Sequence, residues 1–312
     1  MHVNCPTLET AKRIPPLMHK PVLTSFLCLL AVAALAQPGT DIYLLDLSEQ
    51  AGRVTLSNPR NISAKPGYDN QPFFHPTQSR LYYTSMMPDG QTDIWAYDVP
   101  TSTRTQITRT PDLEYSPTVV PGGTYLSCIV QRKANGDQDL VRYTLADPTK
   151  EALILASQQT GKIGYQAWLS PTEVALFVLA APRPGEPNTL HYKNLKTGQD
   201  TVLATQIGRS LHPVPGRKAL SFVQQVGPKW LIRLYDPTRR QVRDLTESDP
   251  DCEHYNAWTA TGTLLESRGT ELWSFDAKTR QWREVQLPDN LPHRKVSRMA
   301  VKGGLLALVV DE

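Results

Sequence analysis

Two stretches at opposite ends of the chain decide its fold: VSRMAVKGGLLALVV, residues Val296 to Val310, and DIYLLDL followed by RVTLSN, Asp41 to Leu47 and Arg53 to Asn58. Each is a pair of short apolar strands, and each is half of a unit that recurs in full between them. The fullest copy runs Gln71 to Pro76 (QPFFHP), Arg80 to Ser85 (RLYYTS), Thr92 to Asp98 (TDIWAYD) and Arg104 to Thr108 (RTQIT). These four partly alternating segments, separated by turn residues, read as strands A, B, C and D of an antiparallel meander. The early stretch holds only C and D, and the late one only A and B.

Strand C and its closing turn recur at Tyr43 to Asp46, Trp95 to Asp98, Val141 to Thr144, His191 to Asn194, Arg233 to Asp236 and Trp273 to Asp276. An Asp or Asn closing such a strand hydrogen-bonds the backbone two residues on, so turn chemistry accounts for it. The turn from A to B recurs as Pro76 ahead of Arg80, Pro121-Gly122-Gly123, Pro171-Thr172, Pro215-Gly216, Thr261-Gly262 and Lys302-Gly303-Gly304. Pro presets φ there and Gly supplies positive φ. A repeat of roughly 40 to 50 residues marks propellers and solenoids. A solenoid carries polar caps at its ends. A chain cut in mid-repeat instead fits a closed ring, in which strands from both ends complete one sheet and leave no exposed edge. The expected fold is all-β, a six-bladed β-propeller closed by C and D strands near the start pairing with A and B strands at the end. Its blades are 41–57 with 296–310, then about 71–108, 115–156, 164–204, 209–246 and 253–287.

Composition agrees. The chain has 312 residues, 40% hydrophobic, with 26 prolines against 18 glycines, enough to bury a core and rich in turns. Val22 to Ala36 (VLTSFLCLLAVAALA) is an apolar run of 15 residues after Lys20, ending in Ala34-Leu35-Ala36. It is shorter than a bilayer-spanning helix and has the small residues of a signal-peptidase site, so residues 1–36 read as a leader cleaved before Gln37. Met18 is the expected initiator, because MHKPVLTSFL is a better leader start than the Glu9-containing segment upstream. The product, residues 37–312, is expected in the periplasm or the medium, as a monomer. Cleavage takes the net charge from +3 toward neutrality, which gives no electrostatic case for nucleic acid or an anionic membrane. Cys128 lies in an apolar strand and Cys252 in a polar loop, three repeats apart, so no bridge between them is expected.

Strings such as TDIWAYDVPTSTRTQIT, WLIRLYDPTRRQVRDLT and ELWSFDAKTRQWREVQL, with YSPTVVPGG at an A to B turn, resemble the TolB-like and PD40 (WD40-like) propeller repeats of bacterial envelope proteins. The resemblance covers nearly all of residues 37–312 and implies a six-bladed propeller. Worn corners such as Leu169-Ser170-Pro171-Thr172 depart from the family's Ser-Pro-Asp-Gly turn, and the Trp-Asp and Gly-His signatures of eukaryotic WD40 repeats are missing.

In a propeller the A strands line the axial channel. Aligned on their A to B turns, the six A strands begin Asp69-Asn70-Gln71, Glu114-Tyr115-Ser116, Gly164-Tyr165-Gln166, Gly208-Arg209-Ser210, His254-Tyr255-Asn256 and Lys295-Val296-Ser297. This polar ring with aromatic walls suits a small polar ligand, a sugar or an inserted peptide terminus, and the expected partner is a protein or peptide, or a glycan, at the channel mouth. Packing of the tyrosines between blades, with the amides satisfying strand ends, is the competing explanation. Asp69, Glu114, Arg209, His254 and Lys295 do not repeat and are the functional candidates. Asp69 and Glu114, in adjacent blades, would serve the alternative, a carbohydrate-active hydrolase or lyase. No nucleophile elbow, zinc motif, P-loop or dinucleotide fingerprint occurs, and no cofactor is expected. His75, His191, His212 and His293 lack metal-ligand spacing and read as surface or turn residues.

Overall fold

The structure is a computed structural model that describes residues 1–2, 39–181 and 185–312. The chain divides between Ala36 and Gln37 into two units. Nearly all of the first unit, with the expected leader and the expected start at Met18, lies outside the described residues, and the fold below is that of the second.

Among the described residues, alternating turn chemistry and short apolar runs produce 24 strands in six four-stranded antiparallel sheets. The chain opens with β1 (Thr40–Gln50) and β2 (Arg53–Asn61). Blade 2 is β3 (Asp69–Phe74), β4 (Arg80–Met86), β5 (Thr92–Asp98) and β6 (Thr103–Gln106). Blade 3 is β7 (Leu113–Val119), β8 (Tyr125–Gln131), β9 (Gln138–Thr144) and β10 (Asp147–Leu155), and blade 4 is β11 (Ile163–Ser170), β12 (Glu173–Val178), β13 (Thr189–Asn194) and β14 (Asp200–Thr205). Blade 5 is β15 (Ile207–Pro213), β16 (Leu220–Val226), β17 (Lys229–Asp236) and β18 (Gln241–Glu247). Blade 6 is β19 (Asn256–Trp258), β20 (Leu264–Arg268), β21 (Glu271–Asp276) and β22 (Gln281–Val285). Last come β23 (Val296–Lys302) and β24 (Leu305–Asp311), and β24 pairs antiparallel with β1 in unbroken register from Thr40 opposite Asp311 to Asp46 opposite Leu305. Blade 1 is therefore β2-β1-β24-β23, built from both ends of the sequence.

Burial explains why β24 reads as one continuous apolar run rather than an alternation. Leu306, Leu308 and Val310 face a core shared with Leu265, Leu272 and Val285 of blade 6. Ala307 and Val309 face another, shared with Phe74, Leu81 and Tyr83 of blade 2. A strand covered on both faces has no polar side to show. Six such cores fill the six gaps between neighbouring blades, and the one joining blade 6 to blade 1 completes the circle.

The turn residues behave as expected in most copies. Asp98 Oδ1 accepts from the backbone N–H and hydroxyl of Thr101, Asn194 Oδ1 from the N–H groups of Lys196 and Thr197, and Asp236 Oδ1 from those of Thr238 and Arg239. Asp46 differs: β1 runs on to Gln50, so Asp46 lies within the strand and accepts from Asn58 Nδ2 and Arg60 Nη2 instead. Cys128 and Cys252 are both free thiols.

Candidate functional site

The A strands β3, β7, β11, β15, β19 and β23 surround an axial cavity of about 640 Å³, within the range of roughly 300–1,000 Å³ usual for small-ligand pockets. Its walls are largely apolar, with Pro72, Phe73, Pro117, Val119, Ala167, Leu211 and Met299, and its rim at the A to B turns holds Pro76, Thr77, Gly122 and Pro213, all exposed. The cavity thus reaches from the strand starts to the opposite end, where the hairpins turn.

Local backbone geometry explains how the strand starts face the channel. Register breaks interrupt β3 between Asn70 and Phe73, β7 between Tyr115 and Thr118, β15 between Ile207 and Leu211 and β23 between Val296 and Met299. Bulges re-aim side chains and recur beside functional sites. Within two of them Gln71 (φ 57°) and Ser116 (φ 53°) adopt the left-handed region, which is uncommon for non-glycine residues.

Of the residues expected at the site, Gln71, Ser116, Tyr165, Gln166, Arg209, Ser210, Tyr255 and Asn256 line the cavity. The amides and hydroxyls among them are largely engaged in joining blades. Gln71 Oε1 accepts from the backbone N–H of Ser116 at 2.7 Å and from Thr84 Oγ1 at 2.9 Å. Gln166 Nε2 donates to Ser116 O at 3.1 Å while its Oε1 accepts from Ser127 Oγ and Trp168 Nε1. Ser210 Oγ accepts from the N–H of Asn256 at 3.0 Å.

Asp69, Glu114, Tyr115, His254 and Lys295 are not on the cavity wall. Asp69 and Glu114 are 0% exposed. Desolvation raises the pKa of Asp69 to about 6. It raises that of Glu114 to about 8, although the Glu114 carboxylate accepts from Thr110 and Thr108. Tyr115 packs into the core between blades 3 and 4. His254 stacks on Trp230 with centroids 4.2 Å apart, its Nδ1 is 2.9 Å from Ser248 Oγ, and burial lowers its pKa to about 4. The loop thiol of Cys252 sits beside it, 3.5 Å from His254 Nδ1, and burial pushes the thiol pKa up to about 11. Lys295 is exposed and pairs with Glu253 at 2.6 Å. Asn70 also lies behind the wall, with its Nδ2 donating to Thr40 Oγ1 and its Oδ1 turned to an arginine described next.

Arg298 of β23 was not among the expected residues. Its Nη2 donates to Tyr165 Oη at 2.6 Å, across the ring from blade 1 to blade 4, and its Nη1 donates to Asn70 Oδ1 of blade 2 at 3.2 Å. The guanidinium also lies 4.5 Å over the ring of Tyr255 and 5.2 Å over that of Tyr165, within cation–π range. Arg209 Nη1 reaches Tyr255 Oη at 3.4 Å. Together these groups bar the axis at the strand starts. The signal available in the sequence was one charge inside the apolar run VSRMAV. His212, read as a surface or turn residue, lines the cavity instead, and burial lowers its pKa to about 4. His75 also lines it while serving its turn: it is 2% exposed and its Nδ1 accepts from the N–H groups of Thr77 and Gln78. Among the described residues no cluster of His, Cys, Asp or Glu could hold a metal ion.

No protein-family model matches the chain, and no curated protein matches it in sequence. Solved structures match its fold. A putative TolB from Agrobacterium tumefaciens aligns over 88% of this chain and 99% of its own with a TM-score of 0.62 at 10% identity. TolB from Acinetobacter baumannii aligns over 88% of this chain with a TM-score of 0.56 at 13% identity, and this chain spans 64% of that one. A gluconolactonase from Xanthomonas campestris aligns over 89% of this chain and 98% of its own with a TM-score of 0.59 at 12% identity. The protein is thus a six-bladed β-propeller of TolB-like architecture, a likeness of fold that binders and enzymes share.

Proposed function

We propose that this chain is an exported, non-catalytic propeller, periplasmic or secreted, that binds a protein partner by taking an extended segment of it into the axial cavity from the hairpin end. The observation that carries this reading is the wall itself. Proline, phenylalanine, valine, leucine and methionine line most of an axial pocket whose arginines, tyrosines and amides gather at the strand starts, with His75, Thr118 and His212 among the polar residues beyond them. An apolar tube with a hydrogen-bonding floor suits an extended apolar segment better than a sugar, which needs polar partners along its whole length. The TolB-like architecture is consistent with a cell-envelope scaffold. Filling the tube with Thr118→Trp is expected to abolish co-purification of the partner, while Lys295→Ala on the outer surface leaves it intact. Equal partner recovery from both variants would sink the proposal.

The alternative of a carbohydrate-active hydrolase or lyase loses the acids it was built on, because Asp69 and Glu114 are enclosed within blades 2 and 3. A screen of polysaccharide turnover with the Asp69→Asn/Glu114→Gln double variant checks this. A turnover present in the wild type and absent from the variant would restore the enzyme.

A further inference from the structure

Several arginines of this protein have carboxylate partners. Arg132 meets Asp112, Asp139 and Glu151, Arg233 meets Asp244, and Arg268 meets Glu266, each within 3.1 Å. Arg298 and Arg209 face the axial cavity, and their hydrogen-bond partners are the uncharged Asn70, Tyr165 and Tyr255. Among the described residues, no Asp or Glu lines that cavity. Arg298 is part-buried while Arg209 is exposed; a guanidinium drawn partly out of water without a counter-charge is unfavourable, and the bonds to Asn70 and Tyr165 leave Arg298 with unused N–H donors. The missing partner is an anion, and the planar fork of arginine matches a carboxylate.

Position selects the kind of carboxylate. Arg298 holds Asn70 of blade 2 and Tyr165 of blade 4 while lying over Tyr255 of blade 6, so it crosses the axis as a bar. A segment entering from the hairpin rim meets this bar head-on and cannot thread past it, so the part that touches the guanidinium is the end of the chain.

We propose that Arg298, with Arg209 beside it, receives the C-terminal carboxylate of the inserted peptide, whose last apolar side chains occupy the tube lined by Phe73, Val119, Leu211 and Met299. This rests on the peptide-binding reading above and adds the chemistry of the ligand's end.

The test offers the full chain two pools of short random-sequence peptides, one with free C-terminal carboxylates and one C-terminally amidated, then quantifies and sequences what is captured. The free-acid pool is expected to bind at least about 10-fold better, the scale of one charge-assisted hydrogen bond, with apolar residues enriched at its C-terminal positions. Arg298→Met is expected to erase that preference and Arg298→Lys to keep part of it. Arg209→Gln, at an exposed position where folding is not at stake, is expected to reduce it. The comparison of pools on the unsubstituted protein stands even if an Arg298 variant fails to fold. Equal capture of both pools overturns the carboxylate assignment and leaves peptide binding standing. So does capture of amidated peptides through internal Asp or Glu. Capture of neither pool overturns both.

Discussion

Glu114 and Asp69 keep carboxyl groups where solvent does not reach, and the consequence is a stability that depends on pH in an unusual sense. Desolvation raises both pKa values in the folded protein, to about 8 and about 6, above those of an unfolded chain, near 4. Between those limits the folded state binds more protons than the unfolded one, so stability is fully present below about pH 4 and falls as pH rises toward 8. Glu114→Gln should flatten that decline, gaining on the order of a few kcal/mol over the wild type above pH 8, as read by urea unfolding at a series of pH values. A wild-type stability that rises from pH 5 to pH 8 would contradict the burial of these acids. His254 acts in the opposite sense. Its pKa is lowered by burial to about 4, so the stability associated with its neutral form is present above the unfolded value near 6.5 and is lost as pH falls through about 4.

At the scale of the element, the A strands do two jobs through the same bulges. The irregularity turns Gln71 and Ser116 inward, and their bonds then tie blade 2 to blade 3 and blade 3 to blade 4. Gln166 is the most committed of these residues, because both ends of its amide are used by neighbours buried beside it. Gln166→Ala leaves the Ser116 carbonyl short of a partner, while the Ser127 hydroxyl keeps its bond to the Thr118 carbonyl, and should cost about 1–3 kcal/mol, measured as a shift of the denaturation midpoint at unchanged slope. The same bulges limited what the strand sequences could show about the site. Strict alternation assigns every second residue to one face, whereas an inserted residue switches the faces partway along the strand. Asp69 and Glu114 therefore lie within the sheets although their neighbours Gln71 and Ser116 face the channel.

At the scale of the whole molecule, the ring stands or falls with one seam. Leu306, Ala307, Leu308, Val309 and Val310 are each at most 1% exposed and serve two inter-blade cores. Burying a Leu or Val is worth about 1.5–3 kcal/mol, so deleting β24 removes an amount comparable with the whole net stability of a typical domain, about 5–15 kcal/mol. Truncation after Gly304 should abolish cooperative unfolding. A permutant of residues 39–312 that joins Glu312 to Gly39, whose backbones are already hydrogen-bonded, and opens between the exposed Ala134 and Asn135 should keep it. Calorimetry of the two proteins distinguishes a closed ring from an open array, since an open array would tolerate loss of its end strands.

The sequence by itself determined the secondary structure, the six-fold repeat and the closure, because strand periodicity, turn chemistry and an incomplete repeat at each end are local patterns that survive being read along a line. Only the tertiary structure decided what meets at the axis. Arg298 and Tyr165 are 133 positions apart and belong to blades on opposite sides of the ring. Nothing in either strand records that partner, because a contact across a channel depends on the curvature of the complete ring rather than on any neighbour in the chain.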